Sequence, residues 1–152
     1  MKHLKTCIVI SLDGFIARKD GDLNWMPGNI KKEISAAYEI PSVFIAGVNT
    51  YNMIFRNWGG WPYKSKKTFV VSHYDTNVTR KDNVTFLTDV PLRAINELKS
   101  SSETDIQVIG GGKFITSLIE ASLLDEITLY IVPVMLGDGI KFIGKTFGSK
   151  WE

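Results

Sequence analysis

Residues 105–122 read DIQVIGGGKFITSLIEAS, and this stretch decides the fold. Ile106-Gln-Val-Ile109 is a short apolar run with the pattern of a buried strand. Gly110, Gly111 and Gly112 follow, and Lys113 to Ala121 then reads as an amphipathic helix. Glycines carry no Cβ, so a ligand can approach the backbone closely. A helix start offers unpaired N–H donors and the positive end of a dipole. Together these features suit a phosphate or pyrophosphate. The same residues would also make a tight strand-to-helix turn that binds nothing. The motif is neither G-x-G-x-x-G nor a P-loop.

Outward from this block, short apolar runs alternate with helical patterns, which points to an α/β sheet. Strands are expected at Leu4–Leu12, Ser42–Ala46, Thr68–Val71, Val84–Leu87 and Glu126–Val134. Helices are expected at Ile30–Tyr38, before Pro41, and from Asn49 or Thr50, as cap, to Phe55. A third is expected over Asp89–Ser100, with Asp89 as cap and Pro91 in its first turn. Residues 17–29 and 57–66 read as loops. No repeat, low-complexity tract or linker is visible, so residues 1–152 are expected to form one domain.

Composition narrows the function classes. Eighteen basic and 16 acidic residues leave +2, too balanced to announce a nucleic-acid partner. No apolar stretch approaches the ~20 residues of a spanning helix, so no membrane partner is expected. Cys7 is the single cysteine and reads as a small buried hydrophobe. A reducing cytoplasm is its natural compartment. His3 and His73 lie far apart and no Cys/His cluster has ligand spacing, so no metal site is expected.

Three more strand ends carry candidate chemistry. Ala46-Gly47-Val48-Asn49-Thr50 repeats the order strand, glycine, helix start, and taken alone reads first as a capped helix. Ser72-His73 ends a strand, where ligands of open sheets collect, or simply begins a polar loop. Asp13, in Ser11-Leu12-Asp13-Gly14, follows a buried strand and could bind an amine or move a proton. It also suits ordinary Asp-Gly turn chemistry. The loop Trp58-Gly-Gly-Trp61-Pro62-Tyr63 could stack a planar ring, cover a site or contact a subunit. Lys31, Lys32 and Glu33 read as the wet face of their helix.

Taken in order, SLDGFIA, VFIAGVNTY, TFVVSH and IGGGKFITSLIEASLLDEITLYIVPVMLGDG resemble the dihydrofolate reductase-like superfamily. They are most similar to the RibD-type reductase branch, which reduces a pyrimidine in riboflavin synthesis. The likeness runs from Thr6 to about Phe142. It implies an α/β fold of three layers, with a central, mostly parallel mixed sheet flanked by helices. It implies NADPH, with Gly110, Gly111, Gly112, Lys113, Phe114 and Ile115 at the pyrophosphate. Gly47, Asn49 and Thr50 would meet the ribose and phosphate side, and Ser72 and His73 the adenosine end. Val9 and Ile16 would flank the nicotinamide, and Asp13 would be the catalytic polar group nearest the substrate.

The expected activity is therefore NAD(P)H-dependent reduction of a small nitrogen heterocycle, similar to 5-amino-6-(5-phosphoribosylamino)uracil reduction. Two alternatives stay open: a dihydrofolate or pterin reductase, and a non-catalytic nucleotide binder. Folate reductases carry an acid at the start of the helix after the first loop, where this chain has Asn29. Their second turn often carries an arginine for the NADP phosphate, where this chain has Val48 and Asn49. Arg18, Lys19, Arg56, Lys64 and Lys66 are the basic residues in or beside loops. The resemblance further implies a homodimer and a closing C-terminal hairpin. The chain ends at Trp151-Glu152, so an exposed sheet edge is expected.

Overall fold

The computed structural model describes residues 1–72, 83–88 and 92–144. The strands are β1 (Leu4–Ser11), β2 (Phe15–Ala17), β3 (Val43–Gly47), β4 (Lys67–Ser72), β5 (Val84–Thr88), β6 (Ile106–Ile109), β7 (Glu126–Val132) and β8 (Ile140–Lys141). The helices are α1 (Gly28–Glu39), α2 (Val48–Asn57), α3 (Leu92–Ser101) and α4 (Gly112–Glu120). Six strands form one sheet in the order β5-β4-β3-β6-β1-β7. Every pairing within it is parallel. The antiparallel component expected of a mixed sheet lies apart, in the small β2–β8 ladder.

The strand order explains the three layers. The chain moves one way from β1 to β3 to β4, and the other way from β5 to β6 to β7. Right-handed crossovers then place the connecting helices on opposite faces. Tyr38 of α1 and Tyr51 and Ile54 of α2 pack with Phe44 and Ala46 on one face. Ile95 of α3 and Ile115, Leu118 and Ile119 of α4 pack with Val43 and Ile45 on the other. The alternation along β3 is the period-2 pattern of a strand buried on both sides.

Because the main strands are parallel, their carboxyl ends share one rim. The opposite rim is closed by charge. Asp125 accepts from the buried Lys99 ammonium and from the backbone N–H of Leu4. Lys5 bridges Asp105 and Glu126.

Several boundaries differ from expectation. Gly47, not Asn49 or Thr50, is the cap of α2, and no side chain caps the helix. Strand β7 stops at Val132 because Pro133 has no N–H for the ladder. The β2–β8 ladder was not expected: its strands of three and two residues are too short to show an alternation. Asp89 and Pro91, the expected start of α3, lie outside the described residues.

Candidate functional site

Strands β3 and β6 are neighbours, with Ala46 opposite Ile109. Their glycines therefore emerge side by side. Two helices start there, α2 after Gly47 and α4 after Gly111, and neither has a side-chain cap. In α4 the N–H of Ile115 already bonds the carbonyl of Gly111, at 3.2 Å. The N–H groups of Gly112, Lys113 and Phe114 precede that first helical bond, so the helix ladder leaves them without a partner. Two positive helix ends thus meet at one place on the rim.

The four glycines differ in what they do. A Cβ on Gly47 or Gly110 would press on the Phe114 side chain, at 3.1 Å in both cases. Their smallness therefore seats Phe114 against the strand ends. A Cβ on Gly112 would collide with the backbone carbonyls of Lys141 and Phe142. Gly111 is different: a Cβ there meets only Thr50 Oγ1, at 3.5 Å, an ordinary contact. The open face of the turn is therefore at Gly111 and Thr50, bordered by exposed Asn49 and Lys113.

The other expected residues divide. Ser72 ends β4 beside Gly47's partner Val71, on the same rim, but its side chain is buried. His73 lies outside the described residues. Ile115 needs correction as a phosphate contact. Its side chain is fully buried in the core and its N–H is committed to Gly111. Val9 packs with Trp25 and Val132 on the α1 side of β1. Ile16 packs instead against the core of the other face. The two do not form one wall.

Asp13 sits at the end of β1 and is fully engaged. Its carboxylate accepts from Ser11 Oγ at 2.6 Å, from Leu136 N–H at 3.1 Å and from Gly137 N–H at 2.7 Å. Gly14, at φ +88°, and Gly137, at φ +74°, supply the backbone conformations these turns need. The Ser11 hydroxyl foremost, then the two N–H groups, hold the Asp13 carboxyl below its ordinary value. An acid so held stays ionised at neutral pH and is a poor proton donor.

Loop 18–27 crosses this rim. Gly21 lies against Met53 of α2, and Trp25 is buried beside Val9 and Val132. The Trp25 indole N–H is buried with no partner among the described residues. Buried donors are normally paired, so this unpaired one stands out beside the rim. Sequence reasoning missed Trp25, because nothing in GDLNWMPG distinguishes a core tryptophan from one lining a site. Several basic residues are occupied. Lys19 pairs with Asp138, Arg18 holds Asn24, and Lys66 bonds the carbonyl of Glu39. In the aromatic loop, Trp61 and Tyr63 join a ring cluster with Tyr38, Phe44 and Tyr51, and only Trp58 is exposed.

A fold with this parallel order, glycine turns at adjacent strand ends and a tryptophan-bearing loop over the rim is of the dihydrofolate reductase-like class. The chain belongs to the RibD C-terminal domain family, whose sequence profile matches residues 2–149. It is similar to the uncharacterized Bacillus subtilis protein YwjB, with 27% identity over 136 residues, covering 88% of this chain and 78% of YwjB. A crystal structure of a Shewanella sp. PV-4 protein ascribed to riboflavin biosynthesis superposes with a TM-score of 0.81 at 29% identity, covering 97% of this chain and 86% of that one. Enterococcus faecalis dihydrofolate reductase, complexed with NADP(H), shares the fold at a TM-score of 0.69 and 16% identity, covering 92% of this chain and 76% of that one.

Proposed function

We propose that the protein is an NADPH-dependent reductase of a small nitrogen heterocycle, with 5-amino-6-(5-phosphoribosylamino)uracil reduction as its nearest counterpart. The observation that carries this reading is the pair of uncapped helix starts meeting at Gly111. The residues present fit a dinucleotide. Gly111 leaves the turn open, the N–H groups of Gly112, Lys113 and Phe114 can take a pyrophosphate, and the Thr50 hydroxyl lies beside them. NADPH, when bound, supplies a hydride.

The chain's part is placement and exclusion of water. Val9, Trp25 and Val132 give the rim an apolar floor. The Trp25 N–H can orient a ring acceptor. Asp13 fixes the 136–137 turn beside the end of β1, so its role is to position rather than to donate a proton. The likeness to folate reductases is one of fold, and Asn29 at the start of α1 brings no carboxylate for a pterin.

A titration with NADPH, and separately NADH, tests the reading. Wild type is expected to bind NADPH in the micromolar range. Gly111→Asp has room for its Cβ and sets a negative charge at the proposed anion site, so it should weaken NADPH at least about tenfold. A folded protein that binds neither nucleotide would remove the reductase reading. The compartment we propose is the cytoplasm. No helix among the described residues is long and apolar enough to cross a membrane. We also propose a homodimer. Among the described residues β7 pairs on one side only, with Leu129 and Ile131 exposed. Light scattering that finds a monomer at all concentrations would refute it.

A further inference from the structure

Residues 133–142 cross the carboxyl rim from one face of the sheet to the other. Val134 and Leu136 pack with Val9 and Trp25 on the α1 side. Phe142 packs with Ile16 against the core on the α4 side. The crossing has little regular structure to hold it. Strand β8 has two residues, and its ladder with β2 is irregular between Phe15 and Ala17. A two-stranded ladder is marginal even when longer. The strap therefore depends on what ties it down.

The ties come from the turn after β1. Leu12 N–H donates to the Val134 carbonyl at 2.8 Å, and Phe142 N–H to the Gly14 carbonyl at 3.0 Å. The Asp13 carboxylate accepts from the N–H groups of Leu136 and Gly137. Lys19 pairs with Asp138. Gly139, at φ +149°, lies so close to Ala17 that a Cβ would strike the Ala17 carbonyl. Lys19 and Asp138 are both exposed, so their pair contributes little. The Asp13 bonds have an ionised acceptor, which makes them about twice as strong as neutral ones.

The far end of the same strap reaches the glycine turn. The carbonyls of Lys141 and Phe142 lie against Gly112, where a Cβ would collide with both. Gly112 is the first residue of α4, and its N–H is the first of those that the helix ladder leaves over. Asp13 bonds no residue of α4. It reaches that helix only through the strap.

We propose that Asp13 is a positioning residue for nucleotide binding. It holds the 136–142 strap, and the strap holds Gly112 and the N–H groups after it in place for the phosphates. The inference rests on the reductase reading and adds to it a control of cofactor affinity from the turn after β1. A turn held in place before binding spares the ligand the cost of ordering it. With the strap released, NADPH has to order both strap and turn, and binds more weakly. By linkage, bound NADPH tightens the strap in return.

Hydrogen exchange read by mass spectrometry, together with NADPH titration, tests this. Asp13→Asn keeps the shape of the side chain and removes its charge. In the free variant, exchange at 136–142 and at 110–115 should both quicken at least about threefold. NADPH should weaken at least about fivefold. Gly139→Ala, which pushes the strap off Ala17 and leaves Asp13 in place, should act in the same direction, and stands in for Asp13→Asn if that variant does not fold. Val84→Ala is the control, a buried loss on β5 at the far edge of the sheet. It should change neither exchange at 110–115 nor NADPH affinity. Unchanged exchange at 110–115 or unchanged NADPH affinity in the strap variants would overturn the inference. Equal effects from Val84→Ala would reduce Asp13 to a part of general stability. Each of these outcomes leaves the reductase reading standing. If wild type fails to bind NADPH, that reading falls, and exchange at 110–115 in the free protein still decides whether the strap holds the turn.

Discussion

Two of the helices that start at the rim, α4 and α1, are built on opposite principles. Helix α4 buries Gly112, Ile115, Thr116, Leu118 and Ile119. Helix α1 buries none of its residues. The apolar stripe of α4 is complete, and its start is clamped by Phe114 against Gly47 and Gly110. The stripe of α1, Ile30, Ile34 and Tyr38, is only half-buried, and the loop before it brings a buried N–H with no partner among the described residues. On the proposed reading, a rigid nucleotide side and a more loosely packed substrate side suit a shared cofactor and a variable substrate. Binding geometry for a fixed ligand benefits from locked supports, whereas selectivity needs polar groups that a ligand completes.

The largest expected effect sets these halves against each other. Ile115→Ala should cost about 2–5 kcal/mol, the range for a fully buried aliphatic side chain that leaves a cavity. Ile34→Ala, on the half-buried stripe of α1, should cost well below that, about 1 kcal/mol. Gly112→Ala belongs with the first group, because its methyl collides with two backbone carbonyls that cannot rotate away. Urea unfolding of the three variants measures the ranking. Equal costs for Ile115→Ala and Ile34→Ala would erase the distinction between the halves.

A smaller effect concerns the turn between the halves. The Asp13 carboxyl is depressed in the folded protein by the Ser11 hydroxyl and by the N–H groups of Gly137 and Leu136. A depressed acid contributes stability above its unfolded value and loses it as pH falls through the folded one. Asp13→Asn should therefore melt lower than wild type at neutral pH. The gap should close below the ordinary carboxylate range, as wild type becomes protonated too. Melting curves across pH check this, and a gap that persists in acid would show that charge is not what holds the turn.

Legibility followed the same division. Strand β6 and the start of α4 could be read from DIQVIGGGKF because period, glycine and helix signals agree there. The glycines the sequence singled out do stand at adjacent strand ends. It did not separate the glycines, since only the seat of Phe114 shows that Gly47 and Gly110 serve packing while Gly111 stays open. Ile115 was misread for a related reason: a motif names a segment, whereas burial decides which member faces a ligand. On the other half, Val9, Trp25 and Val132 come together from three distant parts of the chain, which no local pattern encodes. Asp13 was visible, but its three donors come from Ser11 and a turn more than 120 residues away.

The smallest effect on stability is the most informative about that half. Trp25→Phe keeps most of the ring's packing with Val9 and Val132 and deletes only the indole N–H. Removing a paired buried donor costs about 1 kcal/mol, whereas deleting one that has no partner removes a desolvation penalty. The variant should therefore match wild type within about 0.5 kcal/mol in urea unfolding, or exceed it. A loss of about 1 kcal/mol or more would mean that the N–H serves the fold, and the contrast between a finished helix α4 and the α1 side would then have to rest on the burial of their stripes alone.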